Sequence, residues 1–371
     1  MNFSYWENQE FLKNIDLVVI GSGITGLSTA IHYKKDNPES NVIILERGML
    51  PWGASTKNAG FACFGSLGEI ISDLEHTSID EVIKLVKFRN DGLKTLKALL
   101  GEDNFDLQMK GSFELFQPSQ RKEYDNCLER IDEFNDLLKD EFGGNVFQVQ
   151  ENKFGFANTI GIIKNNFEGQ INTGLLMKRY LALASEYGVQ IYNGAEVTSY
   201  SDRDEVEIAI KGGLNIRAKK LVICSNGFAK DLLNDDVKPA RAQVLITKPI
   251  ENLPFEGTFH YDQGYYYFRN IHNRVLLGGG RNLDIDGETT TQMECSDLIM
   301  SELKRLLKEV ILPNTQYEID YNWAGIMGVG EKKNPIIKKL SMNVACAVRL
   351  GGMGVAVGTS VGKRVSKIFA D

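Results

Sequence analysis

Gly21-Ser22-Gly23-Ile24-Thr25-Gly26 has the types and spacing of a phosphate-binding turn. It follows the apolar run 15–20 and opens the run 27–31, so a buried strand meets a helix there. Gly21 permits the tight turn, Gly23 lets a pyrophosphate reach the backbone, and Gly26 lets helix and strand pack closely. The helix start, including Ile24 and Thr25, offers free N–H groups and the positive end of the helix dipole. A second apolar run, 41–45, ends in Glu46, 25 residues after Gly21. An acidic side chain there can accept hydrogen bonds from ribose hydroxyls. Glu46 disfavours a 2′-phosphorylated nucleotide, and the adjacent Arg47 tempers that. A competing metal chemistry lacks its ligands. The four histidines share no ligand spacing with a cysteine or acid, and the five cysteines form no C-x-x-C pair.

The elements that must hold this turn follow from periodicity. The 371 residues are 43% hydrophobic and 25% charged, enough for about two domains and a large core. A net charge of −7 argues against a nucleic-acid surface, which would want a basic stripe. No run is long and apolar enough to span a bilayer, and the first residues lack the features of a secretory signal. Scattered, unpaired cysteines point to a reducing cytoplasm. Residues 79–100 and 119–142 read as amphipathic helices, with Pro118 at a start and Gly143-Gly144 at a stop. Residues 174–187 read as a helix, and 189–192, 196–200 and 220–224 as strands. Residues 241–278 are strand-rich, 296–310 helical, 343–349 a strand, and 360–369 a closing helix. Glycine turns near both ends imply that the terminal segments share one domain, with the middle supplying pieces of another.

In that order the chain resembles the D-amino-acid oxidase-like FAD-dependent oxidoreductases. The resemblance covers nearly the whole chain and rests on five stretches. They are Gly21 to Glu46; Ser55-Thr56-Lys57-Asn58-Ala59-Gly60; Gly169 to Val197; Gly278-Gly279-Gly280; and Gly351-Gly352-Met353-Gly354-Val355 through Gly358. The resemblance implies an α/β fold. A Rossmann-like FAD-binding domain would comprise residues 1–75, 150–240 and 325–371. An interleaved α+β substrate domain, with a mostly antiparallel sheet, would comprise 76–149 and 241–324. It implies FAD held by the residues just named, with Val197 against the adenine and with Ser225, Asn226, Gly227 and Gly325 nearby. The flavin needs backbone donors near N1 and O2, which a glycine turn entering a helix at Gly354 supplies. Neither Cys63 nor Cys346 matches the family's covalent flavin cysteine well, so non-covalent FAD is expected.

The implied activity is oxidation of an amine or amino acid by hydride transfer to flavin N5, with oxygen or an external carrier as electron acceptor. A 2-hydroxy-acid dehydrogenase keeps the same fold, and a flavin-binding subunit acting with a partner is a third reading. A homo-oligomer is allowed. Strand alternation puts Tyr265, Tyr267 and Arg269 on one face. In the family that sheet covers the flavin, so the face would line the pocket with Arg269 on a carboxylate. Half-buried tyrosines and an exposed Arg269 fit the residues equally. Met327 stands where amino-acid-oxidising members carry a carboxylate-clamping arginine, and Arg349 is a second candidate to replace it. Leu276-Leu277 stands where sarcosine oxidases carry a lysine, which leans toward a dehydrogenase.

Overall fold

The computed structural model describes residues 3–370. The central strand Leu17–Ile20 is wholly apolar and buried on both faces, as a strand inside a parallel sheet must be. It pairs in parallel with Val42–Glu46 on one side and Lys220–Ile223 on the other. Gln190–Asn193 extends the first side and Val344–Val348 the second, and the antiparallel Ile336–Lys339 closes that edge. One face carries the helices Ile24–Asp36, Ile79–Leu100, Thr173–Glu186 and Gly354–Val365, which share a core through Leu27, Leu93, Tyr180 and Val357. The other face packs Val18, Ile20 and Ile43 on an antiparallel three-stranded sheet of Val197–Asp202, Val206–Ile210 and Leu214–Ala218.

The second layer system is an eight-stranded sheet. Its order is Ile319–Val329, Lys238–Thr247, Arg274–Gly279, Tyr266–Ile271, Thr258–Tyr261, Ser112–Phe116, Gly161–Asn165 and Phe147–Gln150. Every neighbouring pair is antiparallel except Thr258–Tyr261 with Ser112–Phe116. Alternation gives the sheet two chemically different faces. Phe113, Phe259 and Phe268 face an apolar core under the helix Asp297–Leu306. Their neighbours Glu114, His260 and Tyr267, aligned across three strands, face the other way. The helix Arg121–Phe142 covers the far end through Tyr124, Phe134 and Leu138.

The two long amphipathic helices fall within two residues of their sequence ranges, because caps mark them. Ser78 accepts a hydrogen bond from the Glu81 N–H, and Gly143 ends the second helix at φ 76°. Three placements differ from the sequence reading. The closing helix runs Gly354–Val365 rather than 360–369. Its glycines make a poor intrinsic helix, but a Cβ at Gly362 would lie 2.6 Å from Ser28 Cβ, so they permit close packing on Ile24–Asp36. Gly161–Asn165, assigned by sequence to the nucleotide-binding part, pairs with Ser112–Phe116 in the large sheet. Ile79–Leu100, assigned to the substrate part, packs instead on Gly354–Val365; a Cβ at Gly92 would lie 2.0 Å from the Ala356 carbonyl oxygen.

Candidate active site

A cavity of about 930 Å³ runs from the Gly21 turn to the Tyr267 face of the large sheet. That volume lies toward the top of the range of roughly 300–1,000 Å³ for small-molecule and cofactor sites. At its nucleotide end Gly21 has φ 99°, a conformation open to glycine. Gly26 does not line the cavity. A Cβ there would fall 1.9 Å from the Gly21 carbonyl oxygen, so it serves helix–strand contact, as its place in the motif requires. The N-cap Gly23 offers no side chain to cap the helix start; the Ile24 N–H donates to Ser55 Oγ at 3.0 Å, and Gly23 lies against that hydroxyl. Glu46 is buried at the end of its strand. It accepts from Ser22 N–H and Oγ on one oxygen and from the Gly48 and Trp52 N–H groups on the other. Those four bonds fix the carboxylate in the cavity wall. Arg47 stacks its guanidinium over Phe228, 3.6 Å from the ring centroid.

Of the other sequence-selected residues, Ser55, Lys57, Asn58, Ala59, Gly60, Val197, Ser225, Asn226, Gly325 and Gly351 to Val355 all line this cavity. Thr56 does not; its hydroxyl donates to the Pro51 carbonyl. Gly227 does not; a Cβ there would sit 2.3 Å from the Met327 carbonyl oxygen. Tyr265 and Tyr267 line the cavity, as does Met327. Arg269 shares the face of Tyr267 but lies outside the cavity. It is buried, donating to the carbonyls of Gly60 at 2.7 Å and Ile171 at 2.8 Å. The guanidinium therefore braces the small-residue loop instead of facing a substrate carboxylate. Arg349 does reach the cavity, at φ 63°, yet its guanidinium pairs with Asp236 at 2.7 Å and donates to the Asn334 carbonyl.

Sequence reasoning missed the polar wall beside the tyrosines. Glu69, Asp73, Arg89, His260 and Lys333 line the cavity there. Arg89 and Lys333 both approach Glu69, at 3.6 and 3.2 Å, and Lys333 holds Asp73 at 2.6 Å. Burial raises the Glu69 carboxyl, but Lys333, Arg89 and His260 outweigh it and leave it below its usual value. Behind them burial pushes Glu114 up to about 7, against opposing hydrogen bonds from Gly68 N–H and Ser66. Glu69 and Asp73 share the helix Leu67–Asp73, but Arg89, His260 and Lys333 come from other segments, so no motif joins the wall.

The Glu114 shift has a stability consequence with a definite sign. Its folded value lies above the ordinary carboxyl value, so the folded state holds the extra proton between about pH 4.5 and about 7. Stability from this group is complete below that window and is lost as pH rises through it, by roughly 3 kcal/mol in total. Glu114→Gln should flatten this part of the profile. Urea unfolding at pH 5 and pH 7.5 reads it, and an unchanged slope in the variant refutes it.

A three-layer α/β body with a glycine turn at one end of a long cavity, and the eight-stranded sheet over the other end, defines a dinucleotide-dependent enzyme architecture. The chain belongs to the FAD-dependent oxidoreductase (DAO) family, whose model matches residues 16–368. It is 21% identical to a probable oxidoreductase OrdL of Rhizobium meliloti, covering 96% of this chain and 83% of that protein. It is 20% identical to the gamma-glutamylputrescine oxidoreductase of Escherichia coli, covering 95% and 83%. Among solved structures, glycine oxidase of Geobacillus kaustophilus superposes with a TM-score of 0.77 at 20% identity, covering 96% and 95% of the two chains. The residues present fit FAD. Thr25 Oγ1 and Ser225 Oγ are buried in the cavity wall without a hydrogen-bond partner among the described residues, as hydroxyls awaiting a polar ligand would be. The helix beginning at Gly354 aims its first N–H groups, which have no intrahelical acceptors, at the same space.

Proposed function

We propose that this chain oxidises a small amine or amino acid with non-covalently bound FAD. One cavity that joins the dinucleotide turn to the Tyr267–His260–Glu69 wall carries the reading. When bound, the flavin supplies the two-electron acceptor. The chain's own residues do the rest. The Gly21–Gly26 turn and Glu46 fix the dinucleotide, and Tyr265 and Tyr267 wall the substrate against it. Met327 lines the cavity without a charge. A carboxylate on the substrate would meet Arg281, which lines the same cavity. The names of the relatives, glycine oxidase and a gamma-glutamylputrescine oxidoreductase, share an amine as their common chemistry.

Non-covalent attachment is supported by the thiols. Cys63 borders the cavity, but burial pushes its thiol well up, and Glu168 and Glu69 add to that. A protonated thiol is a poor nucleophile. Cys346 lies buried in a central strand. Acid denaturation should therefore release intact FAD into the supernatant; flavin that stays with the precipitated chain refutes the attachment. The function is tested by anaerobic bleaching with glycine, sarcosine, D-alanine, putrescine and lactate. Bleaching by an amine supports the reading. Bleaching by lactate alone would make the protein a hydroxy-acid dehydrogenase.

A further inference from the structure

The cavity contains a paired acid and imidazole that the cofactor does not need. His260 lines the cavity on the strand Thr258–Tyr261, beside Tyr267 in register and edge-on to Phe61. Its Nε2 is buried and has no hydrogen-bond partner among the described residues. Glu168 Oε2, also buried and without a hydrogen-bond partner among the described residues, lies 3.9 Å from it. The other carboxylate oxygen is fixed by the N–H groups of Phe64 at 2.7 Å and Gly65 at 2.9 Å. Both side chains are more than nine-tenths buried. Two unsatisfied polar atoms facing each other in a packed interior are costly unless they act on one another or on a ligand.

We propose that His260 accepts the proton of the substrate ammonium and that Glu168 is its positioning residue. This rests on the amine reading above. Glu168 favours the tautomer with hydrogen on Nε2, which leaves Nδ1 with its lone pair for the cavity. The amine reacts only once its nitrogen lone pair is free. The N–H bond breaks, its electron pair stays on nitrogen, and the proton forms a bond to Nδ1. The resulting imidazolium turns its Nε2–H to the Glu168 carboxylate, which offsets the positive charge. The groups facing the ring complete the balance. Glu114 flanks it in register on the next strand. Glu69 approaches from the helix Leu67–Asp73, already bound by Arg89 and Lys333. The tyrosine in register, Tyr267, is held up to about 12 by burial and stays neutral. Neither Glu114 nor Glu168 pairs with a basic side chain among the described residues, but Glu114 accepts from the Gly68 N–H, and it is Glu168 that turns an unpartnered oxygen to Nε2.

Two measurements on the FAD-loaded protein test this. The chain has four histidines, so imidazole titration by NMR is readable, and His260→Gln identifies the signal by its loss. Glu168→Gln keeps an oxygen for the Phe64 and Gly65 N–H groups but removes the charge. It should lower the His260 titration midpoint by about one pH unit or more. An unmoved midpoint overturns the pairing. The second measurement is the rate of anaerobic bleaching by sarcosine and glycine between pH 6 and 10. His260→Gln should slow it by roughly 10²-fold near neutrality, with recovery toward wild type as solvent deprotonates the amine. An equal loss at every pH would make His260 a wall residue and overturn the proposal. If no amine bleaches the flavin, the functional reading fails and takes the proton-acceptor role with it, whatever the titration shows. A coupled titration with amine bleaching that is insensitive to His260→Gln overturns the proposal alone.

Discussion

Gly23→Val yields a folded but colourless protein. Gly23 has φ −73° and ψ 179°, ordinary extended values, so valine brings no backbone strain. The added Cβ would meet only Ser55 Oγ, at 2.8 Å, the movable end of a side chain. The chain can therefore fold. What it loses is the space through which a pyrophosphate reaches the helix start at Ile24. Displacing the diphosphate by about an ångström or more forfeits several charge-assisted hydrogen bonds. A loss of roughly 3 kcal/mol weakens FAD about a hundredfold. Gly26→Ala behaves differently: its Cβ falls on backbone, 1.9 Å from the Gly21 carbonyl, so folding itself should fail. Flavin absorbance per protein and the circular dichroism of the apoprotein separate the two. A yellow Gly23→Val protein with normal flavin content sinks this account of the turn.

The contrast between those two glycines also shows which features a sequence exposes. The turn, both flanking strands and Glu46 lie within one short segment, so local spacing encodes their geometry. The helices Ile79–Leu100 and Arg121–Phe142 carry their amphipathic period and their caps in sequence. Gly354–Val365 does not. Its glycines argue against a helix until the packing on Ser28 and Gly92 is known, and tertiary contact overrides propensity there. The polar wall was illegible for a further reason. Glu69 comes from a short helix, Glu168 from the turn before Gly169–Gln170, His260 from a sheet strand and Lys333 from a loop. No period or spacing joins them, and only the fold makes them neighbours. Arg269 teaches the reverse. Alternation placed it on the correct face with Tyr267, yet alternation cannot tell how far along the strand the cavity extends. The carbonyls of Gly60 and Ile171 both take bonds from its Nη1 and hold the guanidinium outside the cavity.

Arg241→Met should destabilise the protein by about 3–5 kcal/mol, the usual cost of leaving a buried charge unpaired. Arg241 meets Glu288 with two parallel bonds, at 2.9 and 2.7 Å, and donates to the Glu294 carbonyl at 2.8 Å. The Glu288 side chain is 2% exposed, and Gln243 Nε2 also donates to its two oxygens. These bonds tie the irregular stretch between Arg281 and the helix Asp297–Leu306 to the strand Lys238–Thr247. The same stretch brings Arg281 and Thr291 to the cavity. Methionine fills much of the arginine's volume but leaves the Glu288 carboxylate buried with only Gln243 and Ser296 beside it. The segment should open, so proteolysis within 281–296 should appear together with the lowered unfolding midpoint. Arg241→Met combined with Glu288→Leu removes both charges and should recover most of the loss, because the deficit lies in the unpaired carboxylate and not in the absent attraction. A single variant that unfolds with the wild type, or a double variant worse than the single one, would show that the pair does not anchor this rim.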